Sequence, residues 1–151
     1  MRKAYAFPIV LAFLLGAALS HAQDGKKGSL TAQDYVEIQM LYAQYNHNID
    51  SGNIEGYVAL FTPDGSFNNN VGQEGLRTFM KNRNGGTRRH WNTNLRIVPS
   101  KDGASASVFL MLVDVNTKGI VATGMYNDTL VKTASGWRFK TRQTKMDEPK
   151  Q

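Results

Sequence analysis

Ile38, Leu41, Tyr42, Tyr45 and Ile49 recur at spacings of three and four, the period of a helix with one buried face. Thr31 ahead of Asp34 supplies an N-cap and an acid for the first turn. Ser51-Gly52-Asn53 stops the run, so a helix is predicted to about Asp50. Shorter helices are predicted over 54–60 and 73–82, the second with Leu76, Phe79 and Met80 on one side and Gly85-Gly86 at its end. Between them, Thr62-Pro63-Asp64-Gly65 reads as a turn and 66–68 as a short strand.

Beyond residue 88 the period changes. Residues 88–98, 104–115, 120–133 and 137–145 are β-rich, separated by turn-like 99–103, 116–119 and 134–136. The 104–115 run first alternates and then turns almost wholly apolar, as a central strand covered on both faces would. Trp137 and Phe139 share one strand face and are expected to seal the core. Helices first and long antiparallel strands afterwards predict an α+β fold. Three N-terminal helices should pack on a curved, mostly antiparallel sheet and form a cone with a pocket.

The N-terminal segment has a different purpose. Met1-Arg2-Lys3 is basic, 4–19 is uncharged, and Ser20-His21-Ala22 places small residues before Gln23, the three-part pattern of a secretory signal peptide. The uncharged run is interrupted by Pro8 and Gly16 and is shorter than the roughly 20 apolar residues of a spanning helix, so no stable membrane anchor is expected. The expected division is a signal peptide over 1–22, a polar lead-in over 23–29 and one domain over 30–148. The mature protein is then exported, periplasmic or secreted.

The formal charge is +6 over 151 residues, but Arg2 and Lys3 belong to the leader. The remaining basic residues are dispersed, with Lys81, Arg83, Arg88 and Arg89 the single local cluster. A nucleic-acid binder should carry a denser stripe with interleaved aromatics, so no nucleic-acid partner is expected. There is no cysteine, which excludes disulfides and thiolate metal sites. No nucleotide-binding glycine motif and no nucleophile elbow are present. The main catalytic option left is acid–base chemistry, with His47 and His90 the histidines beyond the leader. Two histidines and a carboxylate could formally hold a metal, but the His47/His90 spacing does not argue for it.

His90 opens a strand-like stretch in which His90, Asn92, Asn94 and Arg96 alternate onto one side. Such a side lies in solvent or lines a polar pocket. Asp50 closes the first helix, where an acid faces the negative end of the helix dipole. That unfavourable placement points to another role. His47, one turn earlier, reads as a solvated helix residue. Asp64 reads as turn chemistry, and Asp128 as a strand carboxylate that could face a pocket.

Four patches together resemble the SnoaL-like branch of the nuclear transport factor 2-like superfamily. They are LYAQYNHNID (41–50), FTPDGSF followed by GQEGL (61–76), RHWNTNLRI (89–97), and GMYNDTLVK with GWRFKTR (124–142). The resemblance implies the cone-shaped fold and a homodimer formed through the outer sheet face. It also implies cofactor-independent, metal-free dehydratase, isomerase or dehydrohalogenase chemistry, or ligand binding without catalysis. By the same resemblance His90 is the catalytic base and Asp50 its partner in a His–Asp dyad, while Tyr45, Tyr42 and Arg142 contact the substrate. Asn92, on the His90 side of its strand, is expected to join them. The residues by themselves equally allow Tyr42 and Tyr45 as core edge and Arg142 as a surface side chain. At Tyr45 the dehydrochlorinase-type members carry a lysine, a departure that counts against dehydrochlorination.

Two functions therefore stand at this point. One is an exported lyase, dehydratase or isomerase acting on a small hydrophobic or cyclic molecule. The other is a non-catalytic domain of the same fold that binds a small ligand or dimerises. They differ in geometry: the first requires His90 and Asp50 within hydrogen-bond reach, and the second predicts that they are not.

Overall fold

A computed structural model describes residues 28–83 and 86–148. The leader, most of the lead-in and Gly85 lie outside the described residues. Helix α1 spans Ala32–Ser51. Its start is a capping box: the Thr31 hydroxyl accepts from the Asp34 amide, and the Asp34 carboxylate accepts from the Thr31 amide at 2.9 Å. Its end is Gly52, whose φ of 72° only glycine adopts without strain. Two further helices, α2 (Ile54–Val58) and α3 (Gly72–Asn82), follow.

The strands are β1 (Phe61–Phe67), β2 (Asn70–Val71), β3 (Arg88–Ser100), β4 (Gly103–Asp114), β5 (Ile120–Thr133) and β6 (Gly136–Met146). They form one sheet in the order β2-β1-β6-β5-β4-β3. Every pairing is antiparallel except β1 with β6. The sheet is curved and open, with α1 packed on β3 and β6 and α3 on β1. Ile38, Leu41, Tyr42, Tyr45 and Ile49 are all buried, as their spacing predicts, and Trp137 and Phe139 are buried beneath α1. The α+β architecture expected from the sequence is the one observed.

Three local expectations are corrected. Thr62-Pro63-Asp64-Gly65 is not a free turn but lies within β1. Its pairing to β6 jumps from Phe61 opposite Phe139 to Ser66 opposite Thr141, so these four residues are a looped-out irregularity in a strand. Pro63 lacks an amide for the ladder, and a Cβ on Gly65 would lie 2.9 Å from the Phe139 carbonyl oxygen. Second, β3 continues through Pro99 and Ser100, where the sequence pattern predicts a turn. An edge strand tolerates proline.

The third correction bears on the site. Asn94 has φ 57°, and the β3–β4 register slips between Thr93 opposite Phe109 and Arg96 opposite Ser107. This bulge reverses the alternation. His90 and Asn92 face inward before it, and Leu95 and Ile97 pack on the core after it. Asn94 and Arg96 are exposed and do not share a side with His90.

Candidate active site

The first turn of β3 along the free edge of the sheet meets the last turn of α1. There the Asp50 carboxylate holds His90 at two points. One oxygen, Oδ2, accepts the His90 backbone N–H at 2.9 Å, and Oδ1 lies 2.5 Å from ring Nδ1. The backbone contact occupies an amide that would otherwise point off the sheet edge. The ring contact fixes the tautomer. A carboxylate only accepts, so Nδ1 carries the proton and Nε2 presents its lone pair. The His90 ring is almost enclosed, with the edge of Tyr45 against it at 6.4 Å between centroids.

A cavity of about 400 Å³ opens beside this pair, lined by Asn46, His47, Asp50, Ser51, Arg89, His90 and Trp91. A second, of about 300 Å³, is lined by Gln39, Tyr42, Ala43, Asn46, Asn92, Leu95 and Val108. Asn46 borders both, and its side-chain oxygen accepts from Asn92 Nδ2 at 3.1 Å. The Asn92 carboxamide oxygen is buried with no hydrogen-bond partner among the described residues. Among the described residues, no three His, Asp or Glu side chains are arranged to hold a metal ion.

Residues 30–143 match the SnoaL-like domain family. The chain belongs to the SnoaL-like family. Solved structures agree on the fold. A cystatin-like-fold protein of unknown function from Nostoc punctiforme is 26% identical, with a TM-score of 0.73 over 79% of this chain and 95% of that one. An NTF2-like protein from Novosphingobium aromaticivorans is 20% identical, with a TM-score of 0.68 over 76% of this chain and 82% of that one. A candidate scytalone dehydratase from the same organism is 23% identical, with a TM-score of 0.65 over 77% and 85%. No curated protein matches the chain.

Not every residue that the SnoaL-like resemblance brings forward lies at the cavities. Arg142 is 0% exposed. It forms a two-point ion pair with Asp128, Nε to Oδ1 at 2.9 Å and Nη2 to Oδ2 at 2.7 Å. Its guanidinium is enclosed by the rings of Tyr42, Tyr45, Tyr126 and Phe139, at 4.1–4.7 Å from their centroids. Burial opposes the charge on Arg142, but the Asp128 carboxylate outweighs it and holds the group protonated. Tyr42 donates its hydroxyl to the same carboxylate while its ring borders the second cavity. Tyr45 is 0% exposed among Tyr57, Phe61, Tyr126 and Phe139, and its hydroxyl has no hydrogen-bond partner among the described residues. Burial drives the hydroxyls of Tyr42 and Tyr45 to titrate far above the ordinary range. Tyr45 and Arg142 line neither cavity. Strand register explains Arg142: it stands opposite Asp128 on the inner face, where an unpaired guanidinium would be costly.

Asn46, Ser51, Arg89 and Trp91 border the first cavity without having been singled out for it. Asn46 lies one helical turn before Asp50 and was within reach of helical spacing. Arg89 and Trp91 were not, because alternation assigns them to the opposite side from His90. They border the cavity because β3 is the last strand of the sheet and the cavity wraps its free edge.

Proposed function

We propose that this SnoaL-like protein is an exported, cofactor-independent acid–base enzyme of lyase, dehydratase or isomerase type, acting on a small hydrophobic or cyclic molecule. The observation that carries the reading is the two-point grip of Asp50 on His90 beside an open cavity. His90 Nε2 takes a proton from carbon. Asp50 stabilises the imidazolium that forms and holds the ring in place during transfer. In a dehydration, electrons of the broken C–H bond form the C=C bond as the neighbouring C–O bond breaks. The imidazolium returns its proton to the departing hydroxyl, and water leaves. In an isomerisation the proton is returned to a different atom of the same substrate. A positioned base of this kind contributes about 10²–10⁴ in rate.

Native mass spectrometry of the purified protein, followed by turnover assays on any co-purified compound, tests the reading. His90→Ala is expected to lose activity by the factor above. Activity at the wild-type level in that variant would sink the proposal. The burial of Tyr45 and Arg142 favours a second reading, because neither stands ready to polarise a carbonyl or leaving group. In that reading the cavity binds a small ligand without turnover. In either case the protein pairs as a homodimer through the outer sheet face, where Phe109 and Ile120 are exposed. A mass of twice the chain in the same spectra is the expected result.

A further inference from the structure

Of the basic cluster of Lys81, Arg83, Arg88 and Arg89, Arg89 lines the His90 cavity. Among the described residues none of the four makes an ion pair. Arg83 spends one nitrogen on the Ile49 carbonyl at the end of α1. Asp114, opposite Arg88 in the β3–β4 register, is occupied by the amides of Asn116 and Thr117. Asp50, the one carboxylate in the lining, is committed to His90.

Arg89 itself borders the cavity. Its Nη1 donates to the carbonyls of Gly86 at 3.2 Å and Arg88 at 3.1 Å, which anchors an otherwise mobile side chain at the rim. The remaining guanidinium nitrogens keep their donors, in the fork geometry that matches a carboxylate. Trp91, 58% exposed, borders the same opening two residues on and supplies an apolar wall. A rim with uncompensated positive charge, an anchored guanidinium and an indole face selects a ligand that is negative at one end and apolar at the other.

We infer that the cavity takes an anionic substrate: a small carboxylic acid whose carboxylate pairs with Arg89 while its apolar body lies against Trp91 and its reacting carbon faces His90. The inference rests on the proposed site but not on turnover, since binding alone reveals it. The attraction between the Arg89 guanidinium at the rim and the anion weakens with salt.

Trp91 is the natural reporter, because the other tryptophan, Trp137, is buried. The test titrates Trp91 fluorescence with cyclohexanecarboxylate and phenylacetate against cyclohexanecarboxamide and phenylacetamide. The acids are expected to bind at least about tenfold more tightly than the amides, a preference that shrinks at high salt. Arg89→Gln should abolish the preference, and Arg89→Lys, which keeps the charge but loses the fork, should keep part of it. Equal affinity for acid and amide overturns the inference, as does an intact preference in Arg89→Gln or no response to any of the four probes. His90→Asn separates this inference from the catalytic reading. It should retain the acid preference, and a protein that binds acids but turns none over refutes catalysis alone.

Discussion

Asp50 and His90, 40 residues apart in the chain, are joined twice, through the His90 backbone amide and through its ring Nδ1. One carboxylate thereby seals the end of a sheet edge and sets the tautomer of a histidine. The two jobs are separable. Asp50→Ala is expected to release the ring, so that NMR of neutral His90 shows both tautomers where the wild type shows Nδ1–H alone. The same variant should lose about 1–3 kcal/mol of stability, since the part-buried His90 amide is left without a partner. A single tautomer persisting in Asp50→Ala would show that something other than the carboxylate orients the ring.

Among the described residues, Asp128 and Arg142 make the ion pair that is costliest to break. Both side chains are wholly buried, so removing one leaves the other charged and unpaired. Asp128→Asn is expected to destabilise by about 3–5 kcal/mol in urea unfolding. Tyr45→Phe removes a buried hydroxyl with no partner among the described residues, and should be close to neutral or slightly stabilising. Loss of activity in stable Tyr45→Phe would place that hydroxyl in the reaction after all.

The bulge at Asn94 is testable through its backbone. A φ of 57° is tolerated by asparagine and favoured by glycine, but costs a β-branched residue dearly. Asn94→Gly should leave stability within about 0.5 kcal/mol. Asn94→Val should cost about 1–2 kcal/mol. It should also disturb Leu95 and Ile97, which the bulge turns inward. Equal stability of the two variants would mean the conformation is not retained in solution.

Asp34 links the start of α1 to the β5–β6 hairpin, accepting from Thr31, from Lys132 at 2.7 Å and from Trp137 Nε1 at 3.0 Å. Burial raises the carboxyl, but these donors together outweigh it and hold the group below the usual carboxylate range. A carboxyl depressed in the folded state contributes stability above its unfolded pKa, and loses it as pH falls through the folded value. The stability gap between wild type and Asp34→Asn should therefore be full at neutral pH. It should shrink only below about pH 4. Urea midpoints at stepped pH measure it, and a gap that is independent of pH down to strong acid would contradict the assignment.

Local pattern alone determined much of this protein. The three- and four-residue spacing from Ile38 to Ile49, the Thr31–Asp34 cap and the change of period after residue 88 are encoded by neighbours in the chain, and each reappears in the fold. The residue types of the candidate dyad were legible too, since His90 and Asp50 stand out against their local surroundings. Alternation failed at Asn94, because a bulge depends on how β3 registers with β4. Helix face could not tell Tyr45 in the core from Tyr42 at a cavity, because the rings that enclose Tyr45 come from α2, β1, β5 and β6. Only the tertiary structure placed Arg142 beneath four rings against Asp128 and put β3 at the edge, where Arg89, Trp91 and His90 border one opening. Those outcomes depend on long-range pairing, and the energy of a buried charge or a free strand edge is set by neighbours that the local sequence does not contain.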